Sequence, residues 1–232
     1  MNKFLKYSQR EPLPNERKIS YSQFSMYSQC PKHWELAYAK NLRTFSQSIH
    51  TIFGTAMHET MQNYLTVMYE QSAKAADEID INAYLKDQMF NLYKEAVEKM
   101  GEHFSNKFEL GEFYEDGVAI LDWFKRKRGQ YFSRKNEELI GIEVPIYHPV
   151  ADSNDKIMML GYLDIVMRDK RTDKITIIDI KTSTRGWNKY QKADKNKVSQ
   201  LVLYKKYFAE QYGYDPEKID IKYMIVKRKL IE

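Results

Sequence analysis

The sequence IIDIKTS at residues 177–183 decides the fold, because it sets an acid and a base inside a short apolar run. Such a β-branched run is typical of a strand, and side chains two positions apart on a strand emerge on the same face. Asp179 and Lys181 are therefore predicted to stand side by side at a strand end, while Ile178 and Ile180 face a core. A carboxylate beside an ammonium group suits a divalent cation that meets a phosphate group.

The sequence around this run alternates as strands do. Ile140, Ile142, Val144 and Ile146 form one apolar row, which leaves Glu143 on the opposite face. The predicted elements of this half are strands over residues 140–146, 158–167 and 175–181, a charged turn over 168–174 that suits an antiparallel hairpin, a helix over 195–212 and a last strand over 219–227.

The half before residue 136 has helical rather than strand periodicity. Ser20 is a suitable cap for a short helix that reaches Gln29, and Pro31 begins the next one, which runs through Trp34 and Tyr38. Amphipathic helices are predicted over 49–68, 81–97 and, more loosely, 113–132. These patterns predict an α/β protein with an extended N-terminal arm over 1–18 and a single domain over 19–232, whose helical portion is 19–135 and whose sheet-bearing core is 136–232.

The composition limits the classes of function. The 232 residues carry 37 Lys and Arg against 32 Asp and Glu, a formal net charge of +5 that is compatible with a polyanionic partner. A single cysteine, Cys30, excludes an intrachain disulfide framework and is typical of a reducing compartment. No apolar run approaches the roughly 20 residues of a membrane helix, and no signal peptide is evident, so the sequence predicts a soluble cytoplasmic protein without a membrane partner.

Five short motifs occur in a recognisable order. They are GTAMH at 54–58, IE at 142–143, GYLD at 161–164, DIKTS at 179–183 and QLVLY at 200–204. An Asp-x-Lys alone is common by chance, but the ordered set resembles the PD-(D/E)XK nuclease superfamily. It is most similar to the branch of the RecB and AddB nuclease domains and the CRISPR adaptation nucleases. The resemblance covers most of the chain from Ser20 onward.

The resemblance implies a fold and a metal site. The fold is a central mixed β-sheet of the restriction-endonuclease-like type flanked by helices. The implied ligands of Mg²⁺ or Mn²⁺ are Asp164, Asp179, the carbonyl group of Ile180 and a ring nitrogen of His58. Lys181 is implied to position the attacking water, and Glu143 to contact a second cation or a water. Asp164, Asp179, Lys181 and Glu143 are thus the expected catalytic residues.

Each of these residues has an ordinary alternative. Asp164, taken to end its strand, is in isolation a turn aspartate, although aspartate is disfavoured inside strands. Lys181 and Glu143 fit solvated positions, and His58 fits the boundary of an amphipathic helix. For His58 the ligand interpretation gains support from Gly54, since a glycine one turn earlier lets another part of the chain approach.

The expected contacts with nucleic acid lie after the Asp-x-Lys run. Gln200 and Tyr204 are four residues apart on one helix face, which directs both towards a substrate backbone or, alternatively, into boundary packing. Trp187 and Tyr190 are available to stack on unpaired bases, and Lys192 begins a basic cluster. The polar loop over 183–196 is predicted to be a substrate-gating segment.

The pair Cys30-Pro31 departs from part of the resembling family. Several members use a cysteine at this point as the first ligand of an iron-sulfur cluster, and such a cluster generally needs four thiolates. Because the chain has one cysteine, no intrachain cluster is expected, and Cys30 is predicted to be a small buried apolar residue.

Three functions remain open from the sequence. The first is a metal-dependent DNA nuclease, an exonuclease acting on DNA ends or single strands in recombination, repair or DNA processing, with helicase or recombination proteins as candidate partners. The second is a nucleic-acid-binding subunit of such a complex with little catalytic activity of its own. The third is a helical interaction domain in which the acidic residues are ordinary surface groups.

Overall fold

The computed structural model describes residues 16–153 and 157–229 of the chain. Its strands are β1 (Arg17–Ile19), β2 (Glu137–Pro149), β3 (Ile157–Asp169), β4 (Ile175–Ser183) and β5 (Ile219–Lys227). Its α-helices are α1 (Tyr21–Gln29), α2 (Pro31–Trp34), α3 (Ile49–Glu70), α4 (Ala73–Glu78), α5 (Ile81–Met100), α6 (Lys107–Lys127), α7 (Lys189–Lys192) and α8 (Lys195–Tyr212). A π-helical turn (Glu35–Ala39) continues α2.

The strands form one mixed five-stranded sheet. Its order is β1-β3-β4-β5, and β2 also pairs with β3. Strand β1 runs parallel to β3, whereas β3 and β4 form the predicted antiparallel hairpin. With helices flanking this sheet, the predicted α/β class and the restriction-endonuclease-like sheet are confirmed.

Two compact units divide the chain. Unit 1 comprises Met1–Thr44, Ile140–Asp179 and Asn188–Lys222. Unit 2 comprises Phe45–Leu139, Ile180–Trp187 and Tyr223–Glu232. The single domain over 19–232 stays a prediction. The N-terminal arm over 1–18 likewise stays a prediction: Arg17 and Lys18 belong to β1, and residues 1–15 lie outside the described part.

Unit 2 has a helical core built around α3. Ser48 and Thr51 form a capping box at its first turn, which satisfies amide groups that a helix start leaves open. Its apolar stripe then packs against α4, α5 and α6. Gly117 of α6 allows a close crossing, since an added Cβ would lie 2.6 Å from Leu85 and 3.1 Å from Phe53. The predicted helix over 49–68 is thereby confirmed.

Unit 1 begins with short helices whose caps come from single side chains. Ser20 accepts a hydrogen bond from the amide of Gln23 and starts α1 as predicted. The Sγ atom of Cys30 accepts a hydrogen bond from the amide of His33 at the start of α2. Cys30 is exposed, so the prediction of a buried apolar cysteine is wrong. Its thiol caps a helix that has no buried residues, so Cys30 does not reach a core.

Strand β2 departs from the simple alternation predicted for it. Glu143 has a left-handed backbone with φ of 48°, a conformation that breaks the regular pleat. After this residue four consecutive side chains, residues 144–147, are buried. Val144 and Ile146 are buried as the predicted row requires, but the predicted alternation is wrong beyond Glu143, because Pro145 and Tyr147 are buried as well. Polar groups anchor this segment, because the amide of Tyr147 donates to Gln211 over 2.7 Å.

The last helix and strand have the predicted bounds, α8 over 195–212 and β5 over 219–227. Asp194 caps the start of α8, and Gly213 ends it in the left-handed conformation that glycine adopts without strain. Helices α4 and α7 were not predicted, and α7 lies inside the polar loop over 183–196. Within residues 16–153 and 157–229, no helix has the length and hydropathy needed to cross a membrane.

Candidate active site

Two acids lie inside the β3/β4 hairpin of unit 1. Asp164 is in the middle of β3, so the prediction that it ends a strand is wrong. Asp179 is likewise followed by four more residues of β4. In the register of this hairpin Ile165 pairs with Ile178, and the two acids are the next residues on their strands. Directly opposed residues of an antiparallel pair lie close together, so the hairpin brings the acids to one level of the sheet.

Asp179 is the buried carboxylate of this hairpin. Its side chain is 4% exposed, whereas Asp164 is half-buried. Burying an ionised carboxylate costs several kcal/mol unless cations or hydrogen bonds compensate. On β4 the neighbouring Ile180 is fully buried as predicted, but Ile178 is only half-buried. A charged residue kept between apolar neighbours identifies this position as a candidate for function.

Tyr204 of α8 packs against β3 beside these acids. A Cβ on Gly161 would come within 2.9 Å of the Tyr204 ring, so the glycine makes room for it. The Nε2 group of Gln200 donates to the Tyr204 hydroxyl over 3.4 Å, which joins the two residues that the sequence placed on one helix face. Tyr204 is 7% exposed. Its direct contact with nucleic acid therefore stays a prediction, and the packing favours a role in positioning its neighbours.

Three carboxylates act on the Tyr204 hydroxyl. Burial raises the pKa of Tyr204 above its usual range, and the Gln200 hydrogen bond opposes this shift. The negative charges that raise the pKa further belong to Asp179, Asp164 and Glu143. Unit 1 thus brings together three of the four predicted catalytic residues around one protonated hydroxyl group. We call Glu143, Asp164, Asp179 and Tyr204 the acid cluster.

Glu143 enters the acid cluster through its unusual backbone. A non-glycine residue in the left-handed region is uncommon, and such strain concentrates at functional sites. Gly141 adjoins this bend, since a Cβ there would meet Val144 at 2.7 Å. The side chain of Glu143 is exposed, as its polar character predicts, so its role as a ligand stays a prediction.

The donor chemistry of the acid cluster fits Mg²⁺. Carboxylate oxygens are the ligands that hard divalent cations prefer. Across residues 16–153 and 157–229, no group of three or more His, Cys, Asp and Glu side chains is arranged to enclose a metal ion. Mg²⁺ needs no such cage, because it is usually held by one or two carboxylates together with waters and substrate phosphates.

His58 lies in a cavity of unit 2. Helix α3 carries it, half-buried, one turn after Gly54. A Cβ on Gly54 would lie 3.0 Å from the Thr182 hydroxyl, so this glycine admits the end of β4 as the sequence suggested. The cavity has a volume of about 470 Å³ and is lined by His50, Thr51, Phe53, Gly54, Thr55, His58, Thr182, Ser183, Thr184 and Arg228. Its hydroxyl groups and imidazoles offer hydrogen bonds to a polar ligand.

Arg228 closes one side of the same cavity. Its guanidinium lies 2.9 Å from Asp116 and 4.0 Å from the centre of the Phe113 ring. Its amide donates to the carbonyl group of Ser183 over 2.9 Å. In the sequence Arg228 is simply the middle one of three consecutive basic residues, Lys227 to Lys229. The ion pairs that orient Arg228 join residues more than a hundred positions apart, so no local pattern reveals them.

The remaining predicted residues lie near the end of β4 and beyond it. Lys181 follows Asp179 by two positions on one unbroken strand and is half-buried. The Trp187 ring packs 4.7 Å from that of Tyr223, whereas Tyr190 in α7 is 74% exposed. Lys192, also in α7, is exposed. Tyr190 and Lys192 are accessible to a ligand, and the proposed contacts of all three residues stay predictions.

Comparison with known families gives one match. The family model of the PD-(D/E)XK nuclease superfamily matches residues 18–232. A comparison with curated proteins yields no match. The match covers nearly the whole chain and includes every motif on which the resemblance was based, but it does not confirm the RecB and AddB branch.

Proposed function

The chain belongs to the PD-(D/E)XK nuclease superfamily, and on this premise we propose that it is a Mg²⁺- or Mn²⁺-dependent deoxyribonuclease. The reaction is hydrolysis of a phosphodiester bond. The acid cluster is the observation that carries the proposal, because the β3/β4 hairpin brings Asp164 and the buried Asp179 to one level of the sheet, beside the buried Tyr204. A concentration of negative charge beside a hydrophobic sheet is typical of a cation site that serves phosphate chemistry.

In this mechanism Asp164 and Asp179 would hold the metal ion, and Glu143 would contribute from the bend of β2. A bound divalent cation supplies Lewis-acid activation of the attacking water and of the phosphate group. Tyr204 keeps its proton because its pKa is raised, so its buried side chain stays neutral beside the negatively charged carboxylates. Lys181 orients the water and offsets the charge that develops on the phosphate. His58 and the Ile180 carbonyl group are the further proposed ligands.

The cavity of unit 2 supports a substrate with phosphate groups. Hydroxyl donors such as Thr182 and Ser183, with the guanidinium of Arg228, match the acceptor oxygens of a phosphodiester backbone. Glu112 and Asp116 compensate the charge of Arg228, which favours a neutral or singly charged group over a highly charged ion. One backbone phosphate meets this condition.

We propose an exonuclease that acts on DNA ends or single strands during recombination, repair or DNA processing. The exposed Tyr190 and Lys192 are suited to an unpaired strand, because a ring stacks on a free base and an ammonium group meets its backbone. Helicase or recombination proteins are the proposed partners. The exposed free thiol of Cys30 supports the proposal of a reducing, cytoplasmic environment.

The test uses the purified chain with end-labelled linear, circular single-stranded and duplex DNA. Each substrate is incubated with Mg²⁺, with Mn²⁺ and with chelator. We expect metal-dependent loss of linear DNA, resistance of circular DNA and no reaction in chelator. Cleavage of circular DNA would show that the protein is an endonuclease rather than an exonuclease. The absence of any metal-dependent cleavage would overturn the proposal.

A variant separates the enzyme from a nucleic-acid-binding subunit. Lys181→Ala removes the proposed positioning of water and leaves the carboxylates in place. Cleavage should fall by about a hundredfold or more, while binding to labelled DNA in chelator is retained. If wild-type protein binds DNA and cleaves none, the binding-subunit function is correct instead.

A further inference from the structure

Helices α1 and α2 of unit 1 carry aromatic side chains that no core receives. No residue of α1 or α2 is buried, and Phe24 and Tyr27 are 45% and 53% exposed. Exposed single apolar residues are ordinary, but contiguous ones mark interaction surfaces. This surface lies outside the acid cluster and outside the cavity of unit 2.

The rings on this surface form a continuous series. Tyr27 meets Trp34 edge to face, with centroids 5.6 Å apart. Trp34 in turn stacks on Tyr38, at 6.5 Å and an interplanar angle of 24°. The guanidinium of Arg43 lies over the other end, 4.1 Å from the centre of the Tyr38 ring. We call Tyr27, Trp34, Tyr38 and Arg43 the aromatic ladder.

The backbone under the ladder is itself unusual. Tyr38 lies in the π-helical turn over Glu35–Ala39. Such turns are rare and occur frequently at functional sites. The Tyr38 end of the ladder therefore lies on a segment where a function is expected.

The charge around the aromatic ladder indicates which kind of ligand it binds. Residues 31–44 contain three Lys or Arg and one acid, Glu35. Both Lys32 and Lys40 pair with Glu35, at 2.8 and 2.9 Å. In the described part of the chain no carboxylate pairs with Arg43, so the excess positive charge stands at the end of the ladder. Aromatic rings beside an unpaired cation suit a polyanion whose bases have free faces.

We propose that the aromatic ladder binds single-stranded nucleic acid, with a base stacked on the exposed ring of Tyr27 and the Arg43 guanidinium beside the backbone. The half-buried rings of Trp34 and Tyr38 support Tyr27 from within the ladder. Duplex DNA is a poor ligand for this surface, since its bases already stack on one another. The inference rests on the proposed function for its choice of DNA, and it adds a second strand-binding surface to the acid cluster. An apolar protein partner would leave the cation at Arg43 uncompensated, which favours nucleic acid.

Binding in chelator tests the ladder without any cleavage. The probe is a fluorescein-labelled oligothymidine of roughly 16 nucleotides, the upper end of known site sizes, and the readout is fluorescence anisotropy. Tyr27→Ala should weaken binding about 5- to 100-fold, whereas Tyr27→Phe keeps the ring and should bind like the wild type. Phe108→Ala is the matched control, because Phe108 is 91% exposed on α6 and lies outside the ladder. Circular dichroism checks that each variant is folded.

A crosslinking experiment shows directly which molecule binds to the aromatic ladder. Cys30 is the single cysteine, is exposed and lies between Tyr27 and Trp34 in the sequence. A photoreactive maleimide at Cys30 is expected to crosslink to the oligothymidine. Crosslinks only between protein chains, or equal affinity of wild type, Tyr27→Ala and Arg43→Gln, would overturn the inference.

The outcomes distinguish this inference from the proposed function. If ladder-dependent binding occurs in chelator but no DNA is cleaved in Mg²⁺, the nuclease proposal fails alone. If cleavage is normal and Tyr27→Ala binds single strands like the wild type, the ladder proposal fails alone.

Discussion

The acid cluster and the aromatic ladder of unit 1 invert the usual distribution of side chains in opposite ways. In the cluster a carboxylate, Asp179, is buried among apolar neighbours. In the ladder large rings such as Tyr27 remain exposed. Each inversion lowers the stability of the folded chain, because buried charge and exposed apolar area are both unfavourable. Positions that depart from the rule at such a cost are the ones where a function is expected.

The helical core of unit 2 supplies the reference for this comparison. Phe53 and Tyr64 of α3 have the same residue types as Phe24 and Tyr27 of α1, yet both are buried. Tyr64 even satisfies its hydroxyl by donating to Asp77 over 2.7 Å. Because unit 2 buries side chains of the same types, the exposure of Phe24 and Tyr27 is a property of their place in the fold rather than of their residue types.

The largest effect is expected in the acid cluster. Asp179→Asn keeps the size of the side chain and removes its charge, so it removes a proposed metal ligand. Cleavage of linear DNA in Mg²⁺ should fall by at least about a hundredfold. Binding of single strands in chelator should be unchanged, because the ladder is intact.

The matched control for this variant is Asp220→Asn. Asp220 is an exposed aspartate of β5 in the same unit. Its replacement should leave cleavage within about twofold, as surface substitutions usually have small effects. Equal losses in the two variants would remove the distinction between the cluster and an ordinary surface acid.

The second prediction concerns the packing that holds Tyr204. A methyl group at position 161 would lie 2.9 Å from the Tyr204 ring, so Gly161→Ala must push the ring away. We expect a loss of about 1–3 kcal/mol in the free energy of unfolding, measured by urea denaturation, and slower cleavage. Gly111→Ala is the control. It adds a methyl group to α6 with no heavy atom within 4 Å, and it should stabilise the chain by about 0.5–1 kcal/mol.

The sequence predicted the regular parts of this fold well. Periodicity was sufficient for α3, α8, β4 and β5, because each has a long apolar face with clear ends. Strand β1 has only three residues and therefore no period to detect. Glu143 was interpreted as an ordinary strand position, because the residue type of a glutamate does not predict a left-handed backbone.

The candidate site was predictable in its residue types and not in its packing. The order of the motifs singled out Asp164, Asp179 and His58. Which hydroxyl the carboxylates act on depends on how α8 packs against β3, and that contact joins distant segments. The ladder was missed for the same reason. Trp34 and Tyr38 were assigned to a helix, and helical spacing does not tell a buried ring from an exposed one.

The third prediction separates the role of the charged Arg43 from that of the aromatic Tyr27 in the ladder. Arg43→Gln removes the charge that is proposed to contact a phosphate of the strand. The plot of log affinity against log salt concentration should therefore become less steep, by about 0.7 for a single strand. Tyr27→Ala removes a stacking ring and should weaken binding at every salt concentration without changing the slope. Anisotropy titrations from low to moderate salt measure both. Equal slopes for Arg43→Gln and the wild type would contradict the proposed backbone contact.

The smallest effect is expected from the Tyr204 proton. Burial and the nearby carboxylates raise the pKa of Tyr204 in the folded chain above its unfolded value. The fold therefore favours the protonated hydroxyl, and this contribution to stability is complete below about pH 10, the unfolded pKa of tyrosine. This contribution is lost as the pH rises from about 10 through the pKa of Tyr204 in the folded chain.

Tyr204→Phe removes the titrating group, so the unfolding free energy should decline less steeply above about pH 10 than in the wild type. Urea denaturation at a series of alkaline pH values measures the two slopes. Parallel slopes would show that the fold does not raise the pKa of the Tyr204 hydroxyl, and the acid cluster would lose the feature that distinguishes it from the exposed Tyr27 of the ladder.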